Sequence, residues 1–191
     1  MIMRCGMTSL TKDAIKKSFL KLLNSKPIDK ITVKEIVEDC GINRNSFYYH
    51  FDDIPSLMEE IFNDQADEFV SHTFSPDNLY DSIMEAITFS LENKTAILHV
   101  FNSPNRQFYD RYLNRVARRT VTEFFDNFTK DSKRISAEDR EAVVMYYKSL
   151  LIGFVFDWVS DGAQYDLSLK VKRICEIFEG TIELALERCS E

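Results

Sequence analysis

Apolar residues recur three and four positions apart through almost the whole chain, which is the spacing of amphipathic α-helices. In the first predicted helix, residues 11–24, the residues Ile15, Phe19 and Leu23 form one apolar stripe, and Lys26-Pro27 ends the helix. Alternating patterns of the strand type are nearly absent, and glycine (5) and proline (4) are scarce. The pattern therefore predicts an all-α protein.

The same spacing predicts the remaining helices. A short second helix begins at Thr32, a third covers 44–50, and a fourth begins at Asp52 or Asp53. The later predicted helices are 77–92, 94–102, 104–129, 137–161 and 167–188, which gives about nine helices. Ser75-Pro76 and Ser103-Pro104 each place a capping residue before a proline, and the segment DSKRIS, 131–136, is a polar loop after which Ser136 and Asp139 form a capping box.

Residues 32–50 have the pattern of two short helices joined by a tight turn. The Thr32 hydroxyl can cap the second helix, and Glu35 stands at the reciprocal position of a capping box. Gly41 suits a left-handed residue after that helix, and Asn43 can cap the third. A helix-turn-helix of this kind places its second helix in the major groove of DNA.

The third helix, in the stretch NRNSFYYHF, carries more polar and aromatic tips than a core can bury. Phe47 and Phe51 lie four residues apart and are predicted to face the core. Polar residues at the start of the helix suit base edges, and the tyrosine and histidine tips suit phosphates. The alternative from the residues alone is an exposed helix whose tyrosines cover neighbouring side chains.

Charge is distributed unevenly along a chain with a net charge of −7. Residues 1–51 contain nine Lys or Arg and five Asp or Glu, a net charge of +4, while the rest contains 15 basic and 26 acidic residues, a net charge of −11. A basic front on an acidic body favours a small polyanion-binding unit joined to a larger partner unit, although chance asymmetry is an alternative.

Other kinds of site have little support in the sequence. The four cysteines, at 5, 40, 175 and 189, form no CxxC pair, and neither His72 nor His99 joins them in a ligand spacing. We therefore expect no metal and no cofactor, and free thiols in the cytoplasm. No signal peptide and no stretch of about 18 apolar residues is expected, hence no membrane contact. No catalytic motif stands out, so we expect no enzyme; a helical adaptor that binds only protein is a second alternative.

The stretch ITVKEIVEDCGINRNSFYYHF resembles the DNA-binding signature of the TetR family of one-component regulators, over roughly residues 10–60. The resemblance implies a three-helix DNA-binding domain, 1–53, followed by a helical effector-binding and dimerisation domain, 54–191. It implies contacts with double-stranded DNA, on two-fold related half-sites, from Thr32, Lys34, Asn43, Arg44, Asn45, Ser46, Tyr48, Tyr49 and His50. The chain departs from the pattern at Ile54, where the family usually has a phosphate-binding lysine, and at Asn45, where Gly or Ala is common. The basic first helix could offset the missing lysine.

The family's larger domain responds to a ligand and forms homodimers, so the resemblance also predicts both properties here. The expected dimer interface consists of Leu150, Gly153, Phe154, Trp158, Ile174, Phe178 and Ile182; the alternative is an ordinary core within one chain. The expected pocket for a flat or apolar effector consists of Phe62, Phe69, Phe89, His99, Phe101, Tyr109, Tyr112, Phe124, Phe125 and Tyr146, although each of these residues is also compatible with plain core packing. The family habit predicts a repressor released by a small molecule, with an activator or co-activator that works with a protein partner as the alternative.

Overall fold

The computed structural model describes residues 3–73, 79–129 and 135–189, and this part of the chain contains helices and no strand. The helices are α1 Met3–Leu23, α2 Val33–Cys40, α3 Arg44–His50, α4 Ile54–Thr73, α5 Leu79–Glu92, α6 Lys94–Phe101, α7 Arg106–Phe128, α8 Ala137–Ser160, α9 Leu167–Ile177 and α10 Thr181–Arg188, with a 3-10 turn at Ile28–Lys30. The prediction of an all-α fold is confirmed.

The chain divides into two compact units. The first comprises the residues up to Gln65 together with Asn93–Asp110, and the second comprises Ala66–Glu92 and the residues from Arg111 onward. Helices α4 and α7 therefore contribute residues to both units.

The first unit is built on the apolar stripe of α1. Ile15 and Phe19 are fully buried, and α1 packs against α2, α3 and α6. The same core contains Ile36 and Val37 from α2, Phe47 and Phe51 around α3, and Leu57, Met58 and Ile61 from α4. Burial of each such side chain contributes about 1.5–3 kcal/mol, so this core fixes the positions of the short helices α2 and α3.

The second unit joins α5, α8 and α9. Helix α9 packs against both α5 and α8. Trp158 near the end of α8 is fully buried, and its Nε1 donates a hydrogen bond to the Tyr165 carbonyl oxygen at 3.0 Å. A separate group within this unit consists of Ala66, Phe69 and Val116, with Ala86, Phe89 and Tyr112 packed against it.

The predicted last helix, 167–188, is two helices rather than one. Helix α9 ends at Ile177, and α10 begins at Thr181 after Gly180, which has φ +81°. A left-handed residue cannot continue a right-handed helix, so the chain bends there. The described residues consequently form ten α-helices instead of about nine.

Other boundaries agree more closely. The Ser136 hydroxyl accepts a hydrogen bond from the Asp139 amide, which is one of the two bonds of the predicted capping box, and it donates to Asp139 Oδ2 at 2.6 Å. After Ser103-Pro104, helix α7 begins at Arg106, two residues later than predicted. The predicted break at Ser75-Pro76 and most of the loop 131–136 lie outside the described residues.

Helix α8 differs from the expectation that no stretch approaches a membrane span. Among the helices described, it alone is long and apolar enough to cross a membrane by length and composition, with a mean hydropathy of 1.5 over its most apolar 18 residues. Only 17% of that window is buried in the single chain. Exposed apolar surface on a helix is typical of protein or membrane interaction sites.

Candidate nucleic-acid interface

The start of α2 is fixed by a capping box joined to a lysine. The Glu35 amide donates to Thr32 Oγ1 at 3.3 Å, and the Thr32 amide donates to Glu35 Oε2 at 3.0 Å. The Thr32 hydroxyl also donates to Glu35 Oε2, and Lys26 Nζ lies 2.5 Å from Glu35 Oε1. The hydrogen bond from Lys26, followed by those from Thr32, lowers the pKa of Glu35. The Thr32 hydroxyl therefore accepts from the Glu35 amide and donates to the Glu35 carboxylate, so Thr32 acts here as a helix cap.

The turn between α2 and α3 follows the predicted chemistry. Gly41 has φ +66°, and the Ile42 amide donates back to the Val37 carbonyl oxygen at 3.0 Å, which closes the end of α2. Asn43 then caps α3, because its Oδ1 accepts from the Ser46 amide at 2.9 Å and from the Ser46 hydroxyl at 3.2 Å. The cap therefore occupies the side chains of Asn43 and Ser46, while Arg44 and Asn45 stay exposed.

Helix α3 is anchored by its two phenylalanines and exposes its other face. Phe47 is 0% exposed and Phe51 is 4% exposed, and their ring centroids are 5.9 Å apart. Tyr48 is 54% exposed and Tyr49 is 76% exposed. Tyr48 packs edge-on against Phe47, and Tyr49 packs edge-on against His50, which is half-buried. The rings are thus held in place while their polar tips remain at the surface.

All nine residues predicted to contact DNA lie within the first unit, between the start of α2 and the end of α3. Seven are exposed, and Ser46 and His50 are half-buried. Lys34 is exposed and approaches Glu38 only to 3.7 Å. The first turn of α3 exposes the polar side chains of Arg44 and Asn45, which suit base edges in a groove. One turn later, Tyr48 and Tyr49 expose hydroxyl groups that suit the neighbouring phosphates.

The basic residues of α1 are largely neutralised within the chain. Lys12 Nζ lies 2.7 Å from Glu60 Oε2, and Lys16 pairs with both Glu60 and Asp64 of α4. Burial raises the pKa of Glu60, but the hydrogen bonds from Lys12 and Lys16 outweigh it and the net pKa is lowered. Because Lys12 and Lys16 are paired, the expectation that a basic first helix could offset a missing lysine loses most of its support.

The other lysines and arginines of α1–α3 include both paired and unpaired side chains. Lys21 pairs with Asp39, and that hydrogen bond, with a smaller one from Ser18, lowers the pKa of Asp39. Lys17, Lys30 and Arg44 form no ion pair within the part of the chain that the structure describes. Sequence reasoning did not select Lys17 and Lys30, because pairing partners on another helix cannot be recognised from spacing alone.

The start of α4 is acidic where the family pattern has a lysine. Asp53 caps the helix, since its Oδ1 accepts from the Ser56 amide at 2.7 Å and its amide donates to Ser56 Oγ at 3.1 Å. Asp52 is exposed and Ile54 is half-buried. This end of α4 therefore offers carboxylates and a partly apolar surface instead of a cation.

The residues predicted to form an effector pocket belong to both compact units. Phe101 and Tyr109 pack edge-on in the first unit, and His99 Nδ1 lies 2.7 Å from the Leu23 carbonyl oxygen, as in a satisfied core histidine. Phe69, Phe89 and Tyr112 belong to a packed cluster of the second unit, and Phe125 is buried. Phe62 is half-buried on the part of α4 that belongs to the first unit.

A cavity of about 560 Å³ does exist in the second unit, between α8 and the bend that joins α9 to α10. Of the predicted pocket residues, Phe124 and Tyr146 line it. Its other lining residues include Tyr80, Tyr147, Phe154, Phe178, Glu179 and Glu183. Sequence reasoning missed Tyr80, Tyr147 and the two glutamates, because the bend at Gly180 that helps to form the space was not predicted.

Five residues predicted for the dimer interface, Leu150, Phe154, Ile174, Phe178 and Ile182, also line this cavity. Gly153 is exposed on α8, whereas Trp158 is fully buried within its own chain. Trp158 therefore holds α8 to the turn before α9 and presents no surface to a partner. Tyr146, Leu150 and Phe178 are large exposed hydrophobic residues of this region.

Known proteins of similar fold include several transcriptional regulators. "Dihydroxyacetone kinase operon activator DhaS" aligns with a TM-score of 0.70 at 16% identity, over 94% of this chain and 96% of that chain. NalD, "the secondary repressor of MexAB-OprM multidrug efflux pump in Pseudomonas aeruginosa", aligns with a TM-score of 0.59 at 16% identity, over 90% and 94%. A TetR transcriptional regulator from Rhodococcus sp. RHA1 aligns with a TM-score of 0.56 at 15% identity, over 95% and 99%. At these identities the likeness shows the fold alone.

Sequence comparison extends the likeness to the family. A curated protein of Bacillus subtilis (strain 168), "Uncharacterized HTH-type transcriptional regulator YxbF", is 28% identical over 104 residues, which is 53% of this chain and only 26% of that protein's length. The family model "Bacterial regulatory proteins, tetR family" matches residues 20–61, which include α2 and α3. The model "Transcriptional regulator C-terminal region" matches residues 77–180, more than half of the chain. The capped helix pair and both matches thus lead to one conclusion: this chain belongs to the TetR family, and it is a DNA-binding transcriptional regulator rather than an enzyme.

Proposed function

We propose that this regulator acts in the cytoplasm as a homodimer that binds a two-fold related operator through α3 and represses transcription until a small molecule releases it. The observation that carries the proposal is the exposed polar face of α3, held in place by the buried rings of Phe47 and Phe51. A helix fixed on one side and polar on the other can enter a groove without rearranging.

Within α3, Arg44 and Asn45 are the proposed base readers. Both are exposed in the first turn, and neither serves as the cap, which Asn43 and Ser46 form. Arginine can bind guanine through two hydrogen bonds, and asparagine can bind adenine in the same way. Tyr48, Tyr49 and His50 are the proposed phosphate contacts, and Lys34 supplies a cation from α2.

The proposed pairing surface is the exposed apolar side of α8. Ala142, Met145, Tyr146, Ser149 and Gly153 are exposed and recur at helical spacing along it. The described length of α8, 24 residues, corresponds to about 36 Å, long enough for two copies to pack over several turns. Pairing would cover the apolar surface that the single chain leaves exposed.

Release by an effector requires two conformations that bind the effector with different affinities. Helices α4 and α7 contribute residues to both compact units, so they are the proposed connection between a ligand in the second unit and α3 in the first. The two units divide within α4 between Gln65 and Ala66 and within α7 between Asp110 and Arg111, so the proposed connection runs through the middle of α4 and the first turns of α7.

An activator or co-activator that works with a protein partner is the second candidate. It is favoured by Ile54 and the neighbouring acids, because they deprive the protein of one phosphate contact per chain, and by the similarity to a protein named as an operon activator. Such a protein would depend on its partner for part of its affinity for DNA.

The deciding experiment is fluorescence anisotropy of the purified chain with DNA from immediately upstream of its own gene, against a scrambled duplex, at two salt concentrations. The proposal requires sequence-selective binding that weakens as salt rises. Expression of the neighbouring genes in a deletion strain then separates the candidates: an increase indicates a repressor and a decrease indicates an activator. Equal binding to both duplexes would mean that the chain does not recognise an operator in the upstream DNA, and that part of the proposal would fail.

A further inference from the structure

Helix α1 ends with a carbonyl group that the backbone cannot pair. The Lys26 amide donates to the Leu22 carbonyl oxygen at 3.0 Å, in the manner of one more helical bond. The next amide of that series would donate to the Leu23 carbonyl oxygen, but it belongs to Pro27, which has no N–H. Among the described residues, no backbone amide donates to this oxygen, and Leu23 is buried. A buried acceptor of this kind needs a partner from elsewhere in the fold.

His99 of α6 supplies that partner. Its Nδ1 lies 2.7 Å from the Leu23 carbonyl oxygen, although the two residues are 76 positions apart. A carbonyl oxygen only accepts hydrogen bonds, so Nδ1 must carry a proton and donate it. The neighbouring Val100 is buried, and α6 packs against α1. The ring is therefore presented by a helix that apolar burial already holds in place.

The connection that follows α1 is joined in turn to the start of α2. Lys26 lies in this connection, and its Nζ is 2.5 Å from Glu35 Oε1. Glu35 forms the capping box of α2 together with Thr32, and α2 packs against α3. A continuous series of bonds thus runs from His99 through the end of α1 to the cap of α2, and all of its members belong to the first compact unit.

We propose that His99 is a positioning residue for DNA binding. Its hydrogen bond to Leu23 holds the connection between α1 and α2, and therefore holds the capped α2 and the adjacent α3 in the orientation that the exposed side of α3 needs to enter a groove. His99 acts through the Leu23 carbonyl group. This role requires neither the pairing surface nor an effector. The competing interpretation is a histidine that only stabilises the core.

The first test is the tautomer of His99 in the unmodified chain, measured by NMR of the ring nitrogens. At a pH where histidine is neutral, one ring nitrogen carries a proton and the other does not, and their chemical shifts differ. The His99 signals are those missing from the spectrum of His99→Asn. The expected result is a proton on Nδ1. A neutral ring with its proton on Nε2 could not donate to Leu23 and would overturn the proposal.

Two variants then separate the hydrogen bond from the packing of the ring. His99→Leu removes the donor, whereas His99→Asn keeps one, because the asparagine amide nitrogen is attached to Cγ as Nδ1 is. The readout is hydrogen exchange of the Glu35 amide, which donates to Thr32 Oγ1 at 3.3 Å. We expect exchange about fivefold faster in His99→Leu, equivalent to the net contribution of one hydrogen bond, and nearly unchanged in His99→Asn. An unchanged rate in His99→Leu, or equal acceleration in both variants, would contradict the assigned role.

Val100→Ala is the control for a general loss of stability. It removes buried methyl groups from the next position of α6 and leaves the hydrogen bond in place. At a temperature where circular dichroism shows every variant folded, it should leave Glu35 exchange unchanged. If Val100→Ala accelerates this exchange as much as His99→Leu does, the effect is a general weakening of α6 and the positioning role is refuted. If His99→Leu does not fold, His99→Gln replaces it, because its amide nitrogen lies one carbon further along the side chain.

Affinity for DNA completes the test. His99→Leu should bind the upstream duplex about fivefold more weakly than the unmodified chain, and His99→Asn should bind it about equally. Unchanged affinity in a folded His99→Leu protein would remove His99 from DNA binding. This inference and the proposed function fail separately. An unmodified chain that does not select the upstream duplex loses its proposed operator, while Glu35 exchange still decides whether His99 positions α2.

Discussion

The acidic start of α4 leads to a prediction about salt dependence. Counterion release makes the logarithm of the DNA-binding constant fall with the logarithm of salt concentration, by about 0.9 for each phosphate neutralised. Among residues 10–51, whose side chains the structure describes, the cations outside close ion pairs are Lys17, Lys30, Lys34 and Arg44. If these four reached phosphates in both chains of a dimer, they would contribute a slope of about −7.

The substitution Ile54→Lys restores a cation at the helix start. In a two-fold complex it adds two phosphate contacts and should steepen the slope by about 1.8. Between 50 and 200 mM salt, this change corresponds to about a tenfold larger loss of affinity than in the unmodified chain. The unmodified side chain is half-buried, so thermal unfolding should first establish that the variant keeps its stability.

The assay is fluorescence anisotropy of operator DNA at four or more salt concentrations in that range. Thr88→Lys serves as the control, because Thr88 is exposed on α5 and the substitution adds the same charge to the compact unit that does not contain α3. The control should show nearly the unmodified slope. If Ile54→Lys leaves both slope and affinity unchanged, the start of α4 does not lie along a phosphate backbone, and the explanation of weakened DNA binding by Ile54 fails. If Thr88→Lys steepens the slope as much as Ile54→Lys does, the steeper slope results from the added net charge and not from a phosphate contact at residue 54.

Four further predictions follow from individual contacts. Arg44→Ala should cost about 1–3 kcal/mol of discrimination at one base pair, whereas Tyr48→Phe should weaken binding to all duplexes alike; equal, small effects of both in anisotropy titrations would contradict their assigned roles. Gly153→Arg should yield a folded monomer in sedimentation velocity, because a Cβ at this exposed position meets no atom of its own chain within 4 Å and the longer side chain would obstruct the partner; a persistent dimer would exclude that face. Gly41→Ala should lower the free energy of unfolding by about 1–2 kcal/mol in urea titrations, through the left-handed backbone alone, because its Cβ also meets no atom within 4 Å. Glu35→Gln should be less stable than the unmodified chain at neutral pH; since bonding lowers the pKa of Glu35 in the folded state from its ordinary value of 4.5, this difference should be fully present above that value and disappear as pH falls through the lowered pKa.

Local sequence signals predicted the helix pair because its chemistry is local. The capping box of Thr32 and Glu35, the turn at Gly41 and the Asn43 cap each join residues no more than five positions apart. Phe47 and Phe51 were assigned to the core from spacing alone, and both are buried. Where residues close in sequence supply both partners of an interaction, the pattern is sufficient to predict the structure.

Interactions across long sequence distances were not predictable in this way. Lys16 pairs with Asp64, 48 residues away, so the basic face of α1 looked available for DNA when much of it is neutralised. The aromatic residues expected to share one pocket belong to two compact units, and apolar spacing shows which side of a helix is buried without showing what covers it. The bend at Gly180 was missed since apolar residues continue at helical spacing on both sides of it.

The exposed apolar side of α8 has a consequence for how the proposed regulator responds to its own abundance. If two chains must meet through that surface before either can hold a two-fold operator, the active species forms in proportion to the square of the free chain concentration while single chains predominate. Doubling the number of chains in a cell would then raise the amount of dimer about fourfold by mass action. Occupancy of the operator would change sharply over a narrow range of expression, and a modest change in synthesis or degradation of the chain could switch its target genes.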